Sequence, residues 1–71
     1  MYEYSRILIE QYCMKHKSKK SRQLWELLEL SYSMETEPTE DDAIFLEKVI
    51  RSEKNLELKE ALQDLDEFLF G

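Results

Sequence analysis

Apolar residues recur at intervals of three and four along most of the chain, which is the spacing of one face of an α-helix. The first such segment covers residues 2–16 and the second covers residues 21–32. In the second segment Leu24, Leu27 and Leu28 carry the pattern. Both segments are predicted to form amphipathic helices that turn their apolar faces to a shared core.

The first helix is predicted to bury a stripe formed by Tyr4, Leu8 and Tyr12, with Ile7 and Met14 beside it. These positions lie on one side of a helix because successive members are three or four residues apart. The stripe is therefore the expected contact surface of the first helix.

The junction between these helices, residues 15–22, contains no apolar side chain. Either Ser18 or Ser21 can act as the N-cap of the second helix by accepting a hydrogen bond from a free backbone N–H. No glycine or proline interrupts the segment, so one long bent helix is the alternative. The junction also holds half of the basic residues, which form the predicted basic patch: Lys15, Lys17, Lys19, Lys20 and Arg22.

Residues 33–39 form the clearest break in the pattern. Pro38 disfavours a helical conformation in the residue before it, and Thr39 is then placed to cap a third helix that ends near Ser52. Asp42 stands three residues after Thr39, as in a capping box. The apolar residues of this helix are Ala43, Ile44, Phe45, Leu46, Val49 and Ile50.

A fourth helix is predicted after residues 53–55, where the apolar pattern changes phase. Asn55 can cap this helix, and Gly71 stands where a C-terminal capping glycine is expected. Its apolar stripe comprises Leu58, Ala61, Leu62, Leu65, Phe68 and Leu69.

Composition supports an all-α fold, because the chain has only one glycine and one proline and sheet proteins need many turn residues. Its 71 residues make a single domain, predicted to be a compact bundle of three to four short helices. A domain of this size buries only about 60% of its unfolded surface. Dimerisation is therefore one way in which the core could be completed.

Charge is divided unevenly along the chain, whose formal net charge is -6. Residues 1–33 contain six Lys or Arg and four Asp or Glu, a net of +2, whereas residues 34–71 contain four and twelve, a net of -8. This asymmetry concerns the choice of partners rather than the fold.

The sequence does not favour an enzyme, a cofactor or a metal site. Cys13 and His16 are the only cysteine and the only histidine, and a helix of so small a domain offers no walled cleft to activate a nucleophile. Acidic runs lack the glycine of a calcium loop, and no glycine-rich loop is present to hold phosphate. We see no secretory signal, lipidation motif or apolar span, and a single free thiol favours the reducing cytoplasm.

The function expected from these features is a non-enzymatic protein–protein interaction module, such as an adaptor, a chaperone-like subunit or an inhibitor. It would dock an apolar helix face on a partner protein or on a second copy of itself. Two sets of anchors are predicted, one on the second helix and one on the fourth. They are Trp25, Leu28 and Tyr32, or Leu58, Leu62, Leu65 and Leu69.

The alternative is a regulator related to nucleic acids. The basic patch could contact phosphates, or the acidic half could imitate them. The sequence pI near 4.7 argues against a dedicated nucleic-acid-binding domain. Nucleic acid is therefore the less favoured partner.

The helical layout resembles that of small assembly factors of the succinate dehydrogenase flavinylation family. The similarity lies in the first helix with Arg6, the capped start at residues 39–42, and Phe45. The Arg-Gly-x-x-Glu motif of that family is absent, and residues 17–20 stand near where it would fall. The resemblance thus implies a helical fold and carries no function over to this chain.

Overall fold

The computed structural model describes residues 1–33 and 35–71, and these form an all-α bundle of four helices without a strand. Met34, in the predicted break between the second and third helices, lies outside the described residues. The helices are α1 (Glu3–Lys15), α2 (Lys19–Leu30), α3 (Glu40–Ser52) and α4 (Leu56–Phe70). The all-α prediction is confirmed, and the bundle has four helices rather than three.

A short turn separates α1 from α2, so the alternative of one long helix is wrong. The Ser18 hydroxyl accepts a hydrogen bond from the Ser21 N–H at 3.1 Å, and the Ser21 hydroxyl accepts one from the Ser18 N–H at 2.8 Å. Both candidate serines therefore act together as a capping box. Helix α1 ends at Lys15, and the N–H of the next residue, His16, donates a hydrogen bond to the Tyr12 carbonyl at 2.9 Å.

The starts of α3 and α4 follow the predicted caps. The Thr39 hydroxyl accepts from the Asp42 N–H at 3.2 Å, and the Asp42 carboxylate accepts from the Thr39 N–H at 2.9 Å. The Asn55 side-chain oxygen accepts from the Leu58 N–H at 3.1 Å. None of the described residues has a positive φ, so the turns between these helices use only backbone conformations that every residue type can adopt.

The helices pack in the order α2, α1, α4, α3, because α1 contacts both α2 and α4, and α3 contacts α4. All four helices contribute to one continuous apolar cluster. Its buried members are Ile9, Cys13, Leu24, Leu27, Leu28, Leu46, Val49, Leu58, Ala61, Leu62 and Leu65.

The buried face of α1 differs from the predicted one. Ser5, Ile9 and Cys13 are buried, one position along from the predicted stripe, and Tyr4 is 59% exposed. Apolar residues surround this helix at positions 7–9 and 12–14, so their spacing does not single out one face. Packing against α2 on one side and α4 on the other decides which residues are buried.

Two apolar residues that fit the helical patterns of α3 and α4 are exposed. Ile44 of α3 is 46% exposed and Phe68 of α4 is 45% exposed. Each of these helices has more apolar positions than its contact with its neighbours can cover. The excess remains on the surface, where it is available to partners.

Candidate functional site

An open groove of about 820 Å³ lies where the end of α1 meets the beginning of α2. Trp25 and Met14 give it an apolar wall, and their side chains are 37% and 64% exposed. The structure thus brings the predicted Trp25 anchor together with part of the predicted basic patch. The lining residues are Cys13, Met14, Lys17, Ser18, Lys19, Ser21, Arg22 and Trp25.

Local sequence explains why these residues share a surface. The capping box fixes the first turn of α2, and from there Ser18, Arg22 and Trp25 follow one another at helical intervals of four and three. Met14 comes from the last turn of α1, on the other side of the three-residue turn. The groove is therefore a product of the tight α1–α2 connection.

The predicted basic patch is divided by the structure. Lys17, Lys19 and Arg22 line the groove. The Lys20 ammonium instead lies 5.3 Å from the centre of the Tyr12 ring, a cation–π contact on α1. Lys15 is exposed in the last turn of α1 and does not line the groove. Three of the five basic residues thus remain to act on a ligand in the groove.

The electrostatics of the groove favour a negatively charged ligand. Free backbone N–H groups give the start of any helix a partial positive charge, which is normally balanced by acidic side chains. The first turn of α3 follows this rule with three acidic residues, but the first turn of α2 has none and carries Lys19 and Lys20. Since no acidic residue lines the groove, its positive charge is uncompensated.

Cys13 forms the floor of the groove and is only 6% exposed. Its thiol donates a hydrogen bond to the Ser21 carbonyl at 3.3 Å, which ties α1 to the start of α2. Burial raises the pKa of the Cys13 thiol, so the thiol stays protonated at neutral pH. The His16 ring packs against the Tyr12 ring at 4.8 Å between centroids. Cys13 and His16 are thus each engaged with other groups.

The other predicted anchors of α2 are occupied within the molecule. Leu28 is 1% exposed and belongs to the core. The Tyr32 hydroxyl accepts a hydrogen bond from Arg6 at 2.7 Å and donates one to Glu10 at 2.9 Å. The Arg6 guanidinium also lies 5.2 Å from the centre of the Tyr32 ring. Tyr32 therefore joins the end of α2 to α1, and Trp25 alone of the three lines the groove.

The predicted anchors on α4 are core residues, which corrects that alternative. Leu58 is 9% exposed, and Leu62 and Leu65 are fully buried. Leu69 is partly buried against the same cluster. Because α4 packs against α1 on one side and α3 on the other, its apolar face is already covered within one chain. Most of this face is therefore used within the bundle.

The exposed face of α3 is a feature that the sequence pattern did not single out. Ile44 lies there, and Glu40, Asp41 and Glu47 are four before, three before and three after it, which places them on the same side of the helix. Glu47 pairs with Arg51 at 2.6 Å, and both side chains are mostly exposed. Ile44 belongs to the apolar pattern of α3, and that pattern alone does not determine whether this side chain faces the core or the solvent.

A second depression, of about 440 Å³, lies between the start of α1 and the end of α4. It is lined by Met1, Tyr2, Asp64, Glu67 and Phe68. The Asp64 carboxylate there already accepts a hydrogen bond from the Tyr2 N–H at 2.9 Å. This contact fastens the beginning of the chain to α4.

Within residues 1–33 and 35–71, no helix has both the length and the apolar character needed to cross a bilayer. The same residues contain no group of three His, Cys, Asp or Glu side chains arranged to hold a metal ion. In comparisons with known proteins, no family model, no curated protein and no solved structure matches the chain.

Proposed function

We propose that this protein is a non-enzymatic protein–protein interaction module, acting as an adaptor, a chaperone-like subunit or an inhibitor. Its groove binds an acidic, amphipathic segment of a partner protein. One observation carries the proposal: the only tryptophan of the chain stands on the wall of an open groove rimmed by Lys17, Lys19 and Arg22.

The two kinds of lining residue have separate roles in this proposal. Trp25 supplies a large, rigid apolar surface with one polar group, the combination most often found at energetic hot spots of interfaces. Met14 is unbranched and adapts its shape to the side chain it meets. The cations on the rim attract acidic partners and discriminate against basic ones. An acidic segment with one apolar side chain matches both parts of the groove.

Charge favours a protein segment over a nucleic acid as the ligand. A nucleic acid would extend beyond the three cations of the groove toward a chain half with a net charge of -8. A peptide can place its acidic residues within the groove and leave the rest of the surface free. Mimicry of nucleic acid is less favoured, because the acidic half also contains Lys48, Arg51, Lys54 and Lys59.

We place this activity in the cytoplasm. The support is chemical: Cys13 is the only cysteine and its thiol is buried and hydrogen-bonded. Such a chain gains nothing from an oxidising compartment, where small domains usually rely on disulfides.

Trp25 makes the proposal directly measurable, since it is the sole source of tryptophan fluorescence. The ligand probe is a synthetic helical peptide of leucine and glutamate at helical spacing, and a peptide with lysine in place of glutamate is its control. We expect the glutamate peptide to change Trp25 emission in a saturable manner and the lysine peptide to have no effect. A single-stranded oligonucleotide tests the competing ligand in the same assay.

Two charge variants separate the groove from general electrostatics. Lys17→Glu with Lys19→Glu removes groove cations, and Lys48→Glu with Lys54→Glu makes the same change in net charge on the other half. We expect the first pair to weaken peptide binding at least about tenfold, or about 1.4 kcal/mol. We expect the control pair to weaken it less than about threefold.

Glutamate at position 19 suits the start of a helix, so weaker binding by the groove variant will not reflect a damaged α2. A labelled peptide extends the test to Trp25→Ala, which should lose binding, and to Tyr32→Phe, which should keep it. Equal weakening by both charge variants contradicts the proposed site. Tighter binding of the oligonucleotide than of the peptide overturns the proposed function in favour of nucleic acid.

A further inference from the structure

We propose that the acidic segment bound by the groove is supplied by a second copy of this chain, through the exposed face of α3 around Ile44. This inference rests on the proposed function, because it names the partner of the same groove. It turns the groove into a site of self-association.

The exposed face of α3 carries the two kinds of side chain that the groove is proposed to bind, an apolar one and acidic ones. Ile44 is 46% exposed on α3, so its side chain is free to make an apolar contact with another molecule. Glu40 and Asp41 flank it in the first turn of α3, and both are exposed. The face thus presents one apolar side chain that follows two carboxylates, and Lys48 lies one turn further along it.

Charge and polarity match across the two surfaces. Ile44 would pack on the wall formed by Trp25 and Met14 while the carboxylates of α3 approach Lys17, Lys19 and Arg22. The acidic turn of α3 and the basic turn of α2 are also opposite in sign at equivalent positions, since both are helix starts. Carboxylates near the start of α2 would balance the partial positive charge there, because the first turn of α2 has no acidic side chain of its own.

The two surfaces do not meet within one molecule. Ile44 is not among the residues that line the groove. Moreover, α2 has its main contact with α1, whereas α3 has its main contact with α4. The match can therefore be realised only between copies, in a heterologous contact that joins two different surfaces.

Other exposed apolar residues fit the groove less well. Leu56 is 74% exposed, but the Glu53 carboxylate three residues before it already accepts a hydrogen bond from the Asn55 N–H. Phe68 is 45% exposed, but the Asp64 carboxylate beside it is engaged by the Tyr2 N–H. Ile44 instead follows two exposed carboxylates, those of Glu40 and Asp41, in the first turn of its helix.

Sedimentation of the full chain over a concentration series at low and high salt tests the association. We expect the average mass to rise with concentration at low salt, and to rise less at high salt, because salt screens the charges across the contact. Ile44→Ser removes the apolar contact without adding a charge, and Lys17→Glu with Lys19→Glu removes two of the three groove cations. Each variant should raise the dissociation constant at least about tenfold. Lys54→Glu with Lys59→Glu serves as the control, because both residues lie outside α3 and neither lines the groove.

A mixture of the two impaired variants gives the sharpest test. The Ile44→Ser chain retains its groove, and the groove variant retains its α3 face. Neither should associate alone, but an equimolar mixture should form a one-to-one complex and change Trp25 emission. An association that is lost in neither variant, or a mixture that remains monomeric, overturns the inference.

The titration with the glutamate peptide distinguishes a failure of self-association from a failure of the proposed function. A native chain that stays monomeric at every concentration but binds the glutamate peptide overturns self-association and leaves the proposed function standing. A native chain that neither associates nor binds the peptide overturns both.

Discussion

Two leucines of α4 have opposite environments, although both belong to the same helix. Leu62 is fully buried among residues of the core, whereas Leu56 in the first turn of α4 is 74% exposed. Removing a buried side chain loses its transfer free energy and leaves a cavity, but trimming an exposed one does neither. The two positions therefore separate core packing from helix composition.

We expect Leu62→Ala to lower the free energy of unfolding by about 2–5 kcal/mol, enough to unfold much of a small domain. Leu56→Ala should change it by less than about 0.5 kcal/mol. Urea titrations followed by circular dichroism measure both. Equal losses would contradict the placement of Leu62 in the core.

Asp66 gives the bundle a pH dependence at the contact between α3 and α4. Burial, and secondarily the charge of Glu47, raise the pKa of the Asp66 carboxyl above its usual 3.8. A raised pKa in the folded state means that the native protein binds more protons than the unfolded chain at this group. Its contribution to stability is therefore present at low pH and is lost as pH rises through the native pKa.

Asp66→Asn removes this ionisation and should increase stability slightly at pH 7. We expect less than about 1 kcal/mol, because the site is only partly buried. The gain should shrink as pH falls toward 3.8, because the native carboxyl, with its raised pKa, is protonated before that pH is reached. Urea unfolding at a series of pH values measures it, and Glu60→Gln at an exposed position of the same helix is the control. A gain that is largest at low pH would contradict the assignment.

At the scale of the helix, the starts are determined by side chains close in sequence. Ser18, Thr39 and Asn55 each accept a hydrogen bond from the backbone three residues ahead, and α2, α3 and α4 begin at the next residue. Such contacts involve only local geometry, which is why the sequence predicted the caps of α3 and α4. At α2 the sequence left a choice between Ser18 and Ser21 as the cap, and in the structure both serines form the capping box.

We expect Ser18→Ala and Thr39→Ala each to lower the free energy of unfolding by about 0.5–2 kcal/mol through loss of an N-cap. Thr36→Ala, in the same connection as Thr39 but outside the helix, should have little effect. Thermal or urea unfolding compares the three variants. A loss at Thr36 as large as at Thr39 would show that capping is not the cause.

The faces of the helices were harder to predict than their ends. Apolar residues lie all round α1, so the choice of Ile9 over Leu8 as a core residue depends on how α2 and α4 pack on either side. Ile44 of α3 is exposed for the same kind of reason, because α3 has only α4 as a main contact. The shape of the groove also depends on how closely α1 and α2 approach each other, and the pattern of apolar residues does not determine that distance. Trp25 and its basic neighbours were identified, but not their common surface.

At the scale of the whole molecule, a single apolar cluster contains side chains from all four helices. No helix has a separate core that could remain folded when another helix leaves. Among the described residues, no side-chain nitrogen or oxygen is buried without a hydrogen-bond partner, so no unpaired polar atom destabilises the cluster. The four helices should therefore fold and unfold together.

We expect one cooperative unfolding transition, with coincident curves for helix content by circular dichroism and for the surroundings of Trp25 by fluorescence. Trp25 reports on the α1–α2 junction, whereas circular dichroism reports on all helices. Measurements at low protein concentration avoid a contribution from association. If the fluorescence change preceded the loss of helix, the junction would be an independently unfolding unit.

The turn between α1 and α2 needs no residue with a special backbone conformation, because none of the described residues has a positive φ. Lys17 lies in this turn and Lys19 in the turn of helix that follows, and both line the groove. Neither the backbone nor the core constrains the charge of these side chains. Substitutions at these positions can therefore change the charge that the groove prefers while leaving the bundle intact. The α1–α2 junction is thus a starting point for engineering a groove that binds basic instead of acidic segments.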